Sequence, residues 1–183
     1  MNNTKQNTFL LTSRFEKSLS LGELIEVTDA YHNSVKNSNF CIPTDNTFLF
    51  MLSAKRDKIT FGPYQNLSFF EISNRIYSDL VLLEAAKILF KEHKIKSIKL
   101  KMSNLSGNDL TIIDKDNNEI VGEAFNTAQS FFQIKMRSEL KKYENNKIGV
   151  MAFNSCALDD KNKVFLENKK MQYPQVLFIK CTI

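Results

Sequence analysis

The sequence predicts a mixed α/β (α+β) fold in which helices flank a central β-sheet. A long helical pattern at residues 68–93 precedes three short strand-like segments, and a second helical pattern at residues 127–145 separates the third segment from a fourth. A strand–helix–strand step is right-handed and pairs its strands in parallel, whereas a short turn between strands pairs them antiparallel. We therefore expect a mixed sheet with helices on both faces.

The composition is that of an ordinary folded protein. With 183 residues, of which 43% are hydrophobic and 25% charged, the chain is long enough for a single compact domain with one core. Its longest apolar runs, such as residues 80–83, are far shorter than the ~20 residues that cross a bilayer. Residues 1–9 lack the apolar segment of a secretory signal. We expect a cytoplasmic protein with no membrane partner.

The three cysteines, Cys41, Cys156 and Cys181, have no paired spacing. Reduced, buried thiols fit this pattern better than a disulfide does. A structural zinc site is not expected, because His32 and His93 lie near no matching pair of cysteines or histidines.

Residues 1–67 are predicted to form an extension that packs on a core comprising residues 68–183. In the extension, Ser20 and Glu23 have the spacing of a capping box. This pattern predicts a helix at residues 21–35.

The second half of the extension is predicted to form a β-hairpin. Two strand-like runs, at residues 47–53 and 58–61, are joined by a polar turn at residues 54–57. The Gly62-Pro63 step then ends the second strand.

The core begins with a helix and a strand. Ser68 and Glu71 form a second capping-box pattern, and the helix is expected to run to about residue 93 with a broad apolar face. Residues 95–102 then alternate as a strand does. Apolar side chains are expected on one face, Ile98, Leu100 and Met102, and polar ones on the other, Ser97, Lys99 and Lys101.

A second β-hairpin follows, formed by residues 109–114 and 119–125 across a polar turn. One face of the second strand should carry Val121, Glu123 and Phe125. The other should carry Ile120, Gly122 and Ala124, where the two small residues would let a helix approach closely.

The end of the core is predicted to add two further strands. After the helix at residues 127–145, strands are expected at residues 147–153 and 175–182. The segment between them, residues 159–170, is expected to be partly helical.

Two carboxylates of this pattern are candidates for a metal site. Asp109 opens one strand of the second hairpin, and Glu123 lies inside the other. Carboxylates on adjacent strands can hold a divalent cation, and their hard oxygen atoms suit Mg²⁺, which keeps most of its water ligands.

This order of elements, with an acid opening the second core strand and a glutamate inside the third, resembles the PD-(D/E)XK nuclease superfamily, which has the restriction-endonuclease-like fold. The resemblance covers about residues 68–183. It implies that Asp109 is the metal-binding aspartate, that Glu123 is the acid of the (D/E)XK element, and that Glu84 is an accessory metal ligand. It also implies a Mg²⁺ cofactor, DNA as the partner and, by analogy with members that cut both strands, a homodimer.

The sequence departs from the superfamily motif at its lysine. Phe125 stands where the superfamily has the lysine that polarises the attacking water or stabilises the developing charge, and Asn108 stands in place of the preceding proline. Lys135 is the best substitute. Glu123 lies ~10 Å back along its strand at ~3.3 Å per residue, and Lys135 lies ~12 Å along the returning helix at ~1.5 Å per residue. The expected catalytic residues are therefore Asp109, Glu123 and Lys135.

The helix at residues 127–145 is also strongly basic, in a chain with a net charge of +5. Such an excess favours an anionic partner. Contacts to nucleic-acid phosphates are expected from Gln129, Arg137, Lys141 and Lys142. A merely solvated face is the open alternative. Lys99 and Lys101 could likewise either follow phosphates or blunt an exposed sheet edge.

Two functions remain open on these patterns. The first is a DNA-binding, Mg²⁺-dependent deoxyribonuclease that hydrolyses phosphodiesters, and the departure at Phe125 leaves its catalysis open. The second is a catalytically inactive protein of the same fold that acts as a nucleic-acid-binding or protein-interaction subunit. A small-molecule hydrolase ranks last, because no nucleophile motif is present.

Overall fold

The computed structural model describes residues 8–41, 44–102 and 107–183, and these residues form a mixed sheet with helices on both faces. The predicted fold class is confirmed. Residues 1–7, on which the absence of a secretory signal was mainly judged, lie outside the described residues. Among the described residues, no helix is long and apolar enough to span a membrane.

The extension begins as predicted. Helix α1 (Leu21–Lys36) starts at a complete capping box, in which the Ser20 hydroxyl accepts from the Glu23 N–H and the Glu23 carboxylate accepts from the Ser20 N–H. These bonds satisfy two donors that the first turn of a helix leaves without partners. Just before the helix, Leu19 forms an isolated bridge with Ile98, which ties the extension to the core.

The hairpin predicted at residues 47–53 and 58–61 is wrong in its first strand. Residues Thr47–Arg56 form helix α2. The Asn46 side chain accepts hydrogen bonds from two N–H groups of its first turn, at 3.0 and 3.1 Å, and so caps the helix. A run of apolar residues without periodicity does not distinguish a strand from a helix. Of the α2 side chains, only Ala54 is buried.

A hairpin does form, but the predicted second strand is its first strand. Strand β1 (Ile59–Phe61) pairs antiparallel with strand β2 (Tyr64–Leu67). Gly62, in the turn between them, has a φ of 57°, a left-handed conformation that glycine adopts without strain. The Gly62-Pro63 step therefore joins two strands rather than ending a hairpin.

The core has the predicted order of elements. In sequence these are α3 (Phe69–Glu92), β3 (Ser97–Leu100), β4 (Leu110–Ile113), β5 (Glu119–Phe125), α4 (Phe132–Leu140), β6 (Gly149–Asn154), α5 (Asp160–Gln172) and β7 (Val176–Cys181). In the sheet the strands lie in the same order, from β3 to β7. The pairings β3–β4 and β4–β5 are antiparallel, whereas β5–β6 and β6–β7 are parallel.

The two faces of the sheet contact different helices. Helix α3 and the extension cover one face, where their cluster includes Ile120 and Ala124 of β5. Helices α4 and α5 pack on the other face, over β5, β6 and β7, with Val121 and Phe125 in that cluster. The predicted alternation along β5 is therefore confirmed. Gly122 lies on the α3 face, where an added methyl group would come within 3.1 Å of both Leu110 and Val150.

A buried polar group joins the extension to α3. Asp79 accepts hydrogen bonds from the hydroxyl groups of Tyr31 in α1, at 2.7 Å, and Tyr64 in β2, at 2.5 Å. Asp79 is only 4% exposed. Because buried polar groups are costly unless they are hydrogen-bonded, this arrangement favours one docking of α1 and the hairpin on α3.

The three cysteines are all free thiols. Cys181 is buried in β7, as predicted, but Cys41 and Cys156 are exposed, so the prediction of burial was wrong for these two. Spacing along the chain carries no information about which residues a loop leaves at the surface.

Candidate active site

Asp109 and Glu123 come together on the face of the sheet that carries α4. The β3–β4 ladder extends by one residue beyond Leu110, because the Lys101 N–H donates to the Asp109 carbonyl oxygen at 2.9 Å. The Asp109 side chain then reaches β5, where its Oδ2 accepts from the Ala124 N–H at 3.0 Å. The two carboxyl groups are near enough for each to influence the pKa of the other. We call them the acidic pair.

Burial controls the ionisation of the acidic pair. Glu123 is 4% exposed, and loss of hydration together with the negative charge of Asp109 raises the pKa of Glu123 to about 7, against the opposing effect of Lys142. Burial also raises the pKa of Asp109. Two adjacent carboxylates in such a setting hold a proton near neutral pH unless more positive charge is supplied.

The positive charge nearest to Glu123 belongs to Lys142. Its Nζ atom lies 2.9 Å from Oε2 of Glu123 and 2.7 Å from Oε2 of Glu139. The Nζ atom of Lys135 lies 2.6 Å from the other oxygen of Glu139. The charges therefore alternate from Lys135 through Glu139 and Lys142 to Glu123, which adjoins the second carboxylate, Asp109. We call these five residues the charge row.

Lys142 thus lies beside Glu123, in the place that the sequence analysis predicted for Lys135. The earlier estimate assumed a continuous helix from residue 127. Instead, the Thr127 backbone N–H and carbonyl both bond to the Asn154 side-chain amide, at 2.9 and 3.0 Å, which keeps this part of the chain extended. A 3-10 turn follows, and α4 begins only at Phe132. The lysine that lies level with Glu123 is therefore Lys142, about two helical turns after Lys135.

Lys142 is held in place by the residue that follows it. Helix α4 ends at Leu140, and Lys141–Tyr143 form a 3-10 turn. The Tyr143 hydroxyl donates to the Val150 carbonyl oxygen of β6 at 2.9 Å. Its ring lies directly over Gly149, since a Cβ there would be 1.9 Å from a ring carbon. Glycine is therefore needed at residue 149, and the anchored Tyr143 carries Lys142 to the acidic pair.

Phe125, which stands at the motif position of the lysine, is a core residue. It is 4% exposed, and its ring centroid lies 6.2 Å from that of Phe132 and 6.1 Å from that of Phe153. A lysine introduced here would bring its charge among aromatic rings beneath α4. The lysine of the site therefore comes from a different element, the turn after α4. The position of the motif lysine is occupied by an aromatic core residue.

The structure places Glu84 apart from the acidic pair and does not support its interpretation as a metal ligand. It belongs to α3, which packs on the other face of the sheet. The Glu84 carboxylate lies 3.8 Å from the Lys87 ammonium group. Burial is the main cause of the raised pKa of the Cys181 thiol, and the negative charge of Glu84 is the second cause. Which face of a sheet a helix covers does not follow from the helix's own pattern.

The predicted phosphate-binding residues divide between two places. Lys142 belongs to the charge row, and Lys141 is exposed in the turn beside it. Gln129 and Arg137 instead face α5. Gln129 donates to the Cys156 carbonyl oxygen at 3.2 Å, and the Arg137 guanidinium lies 4.8 Å from the centre of the Phe165 ring. Both line an open cleft of about 260 Å³ between the two helices, with Gln133, Lys161 and Asn162.

Glu139 is a member of the site that the sequence prediction missed. It is 8% exposed and contacts a lysine through each carboxylate oxygen. The signal was present, because Lys135, Glu139 and Lys142 follow one another at spacings of four and three residues, which place side chains on one side of a helix. Glu139 also adjoins Leu140 of the apolar stripe, which brings it near the buried side.

The chemistry of the acidic pair fits a divalent cation. Among residues 8–41, 44–102 and 107–183, no three His, Cys, Asp or Glu side chains are grouped as metal ligands. Mg²⁺ needs only one or two protein carboxylates, because water and substrate complete its coordination. Burial raises the pKa of Glu123, and a bound cation would oppose that effect. Asp109 and Glu123 would be the ligands.

Comparisons with known proteins leave the site as the basis for a functional proposal. The chain matches no protein-family model, no curated protein and no solved structure. What the side chains of the charge row can do chemically is therefore the starting point.

Proposed function

We propose that the protein is a metal-dependent nuclease that hydrolyses phosphodiester bonds, with DNA as the expected substrate. One observation carries the proposal: Asp109 and Glu123 meet on adjacent strands, with the Lys142 ammonium group 2.9 Å from Glu123. Two carboxylates and a lysine are the groups that the PD-(D/E)XK resemblance implies for hydrolysis. The order of helices and strands from α3 to β7 supports the same proposal.

Each residue of the site has a defined task in this reaction. A divalent cation bound to Asp109 and Glu123 would lower the pKa of water and neutralise charge on the phosphate. The Ala124 N–H, 3.0 Å from Asp109, holds that carboxylate in position. Lys142 supplies a positive charge where negative charge develops in the transition state, which is a form of electrostatic stabilisation.

The open part of the sheet face suits the approach of a phosphate backbone. Alternation along β3 places Lys99 and Lys101 on the face that carries the acidic pair, and Lys99 is exposed. The apolar cluster beneath α4 and α5 draws on β5, β6 and β7, so it lies to one side of β3. Lysines beside a cleavage site bind phosphates without regard to base sequence.

A second candidate is the inactive protein of the same fold. Its supporting observation is that Lys142 already forms ion pairs with both Glu123 and Glu139. Such a row could serve only to neutralise carboxylates buried by folding, because a buried charge is tolerated when it is paired. The acidic pair would then have a structural role.

Cleavage of duplex DNA by acid variants separates the two candidates. Asp109→Asn and Glu123→Gln should abolish cleavage in Mg²⁺ or Mn²⁺, since each removes a charged ligand of similar size. Glu84→Gln is the matched control, because Glu84 lies on the other face of the sheet, and it should cleave like the wild type. Wild-type protein that binds DNA but cleaves none with either cation, or equal cleavage by all variants, would favour the inactive protein.

A further inference from the structure

Glu139 joins the two lysines of the charge row. Lys135 contacts its Oε1 at 2.6 Å, and Lys142 contacts its Oε2 at 2.7 Å. Lys142 in turn contacts Glu123 at 2.9 Å. One ammonium group is therefore shared between a carboxylate of the acidic pair and a carboxylate outside it.

The shared ammonium group has different neighbours on its two sides. Glu123 lies beside Asp109, on the strand whose Ala124 N–H bonds to the Asp109 carboxylate at 3.0 Å, and the two acids form the pair that fits a divalent cation. Glu139 has no such partner among its ion pairs, which are with Lys135 and Lys142. A cation that reached Glu123 would repel Lys142 at short range. Glu139 would still hold Lys142, since it is already within 2.7 Å.

We propose that Glu139 is a positioning residue, which keeps Lys142 at the reacting phosphate when Glu123 exchanges its contact with Lys142 for a divalent cation. This inference rests on the proposed nuclease function and adds a role for a residue outside the acidic pair. In the cation-free protein Lys142 balances the charge of Glu123. With a cation on the pair, Lys142 would keep its contact with Glu139 and would have N–H groups left for the substrate.

Cation binding should therefore depend on both residues. Lys142→Met removes the competing charge and should tighten Mg²⁺ binding about 5- to 150-fold, the usual range for coupling between two bound groups. Glu139→Gln removes the second position of Lys142 and should weaken Mg²⁺ binding, because Lys142 then remains on Glu123. Long-range attraction between Glu139 and the cation would also be lost in this variant, so a single substitution does not isolate the effect.

A double-mutant cycle isolates it. Dissociation constants for Mg²⁺ and Mn²⁺ are measured by calorimetry, without DNA, for the wild type, Glu139→Gln, Lys142→Met and the double variant, with folding checked by circular dichroism. If Glu139 acts through Lys142, Glu139→Gln should weaken binding in the wild type and change it less than twofold when Lys142 is already Met. Glu139→Asp, which keeps the charge but shortens the side chain, replaces the glutamine variant if that protein does not fold.

The outcomes of this cycle separate the two proposals. An equal effect of Glu139→Gln in both backgrounds would overturn the positioning role and leave the nuclease proposal standing. Unchanged affinity in every variant would do the same, provided that Glu123→Gln abolishes binding. If the wild type and all variants bind neither cation, the nuclease proposal fails, and the positioning role fails with it.

Discussion

Lys142 lies 2.9 Å from Glu123, so the cation of the candidate site comes from the turn after α4 and not from strand β5. This contact depends on distant parts of the chain. Tyr143 fixes the turn by bonding to Val150 in β6, and the acidic pair is built by β4 and β5. The charge row can therefore form only after the sheet and α4 have packed together, which connects the stability of this corner of the fold to its proposed chemistry.

The ionisation of Glu123 should make stability depend on pH. Its folded pKa is raised from 4.5 to about 7, so the folded protein holds a proton that the unfolded chain releases. Stability from this group is fully present below about pH 4.5 and is lost as pH rises through 7. Urea unfolding in EDTA should show a loss of up to about 3 kcal/mol between pH 5 and pH 8, at 1.36 kcal/mol per pKa unit.

Glu123→Gln is the control for this pH dependence, because glutamine does not titrate. Its stability should vary much less over the same range. A wild-type profile that is flat from pH 5 to pH 8, or a variant profile as steep as the wild type, would contradict the assignment.

Gly149 should be indispensable for the anchoring of Lys142. An alanine Cβ there would lie 1.9 Å from the Tyr143 ring, so the ring must move away from the sheet. Gly149→Ala should lower the free energy of unfolding by about 2–3 kcal/mol, typical of overpacking, and should also slow cleavage. Gly22→Ala is the matched control, since a Cβ on Gly22 meets nothing within 4 Å. If the two variants are equally stable, Tyr143 is not held as described.

Asp79 should contribute strongly to stability and little to cleavage. Asp79→Ala would leave the hydroxyl groups of Tyr31 and Tyr64 buried without this acceptor. We expect a loss of about 3 kcal/mol or more in chemical unfolding, and about 1–2 kcal/mol for Tyr31→Phe. Tyr77→Phe, on the same helix but 52% exposed, should be neutral. A cleavage rate that falls in Asp79→Ala protein shown to be folded would mean that this group acts on the site.

Phe125→Lys should not restore a motif lysine. The side chain it replaces is 4% exposed and packs between Phe132 and Phe153. Burial of an ammonium group among these rings should cost at least about 3 kcal/mol in unfolding experiments. Recovery of cleavage in Lys142→Met by Phe125→Lys would show that the motif position is still usable.

The sequence predicted correctly those elements that are specified by residues close together in the chain. The alternation along β5 and the capping boxes at Ser20 and Ser68 appear in the structure as expected. Helix α2 was missed because an unbroken apolar run has no period, and the decisive residue was its cap, Asn46. A cap is a single polar side chain, which many turns also contain.

The candidate site was predicted only in part, for a similar reason. Asp109 and Glu123 follow from the hairpin alone, since neighbouring strands bring them together. Lys142 depends on where α4 starts, and that start is set by Asn154, 27 residues after Thr127. The separation of Glu84 from the acidic pair depends on which face α3 covers. Both are properties of tertiary packing, which spacing along the chain does not encode.

The role of Lys142 is tested most directly by the rate of DNA cleavage in a single turnover, with saturating protein and Mg²⁺. Lys142→Met should slow cleavage about 10²–10³-fold, the usual range for loss of one transition-state donor. Lys135→Met is the matched control: it removes a lysine of α4 whose ion pair, in the part of the chain that the structure describes, is with Glu139 and not with Glu123. It should slow cleavage less than 10-fold. Equal losses in the two variants, or cleavage by Lys142→Met at the wild-type rate, would contradict the assignment of Lys142 as the cation of the site.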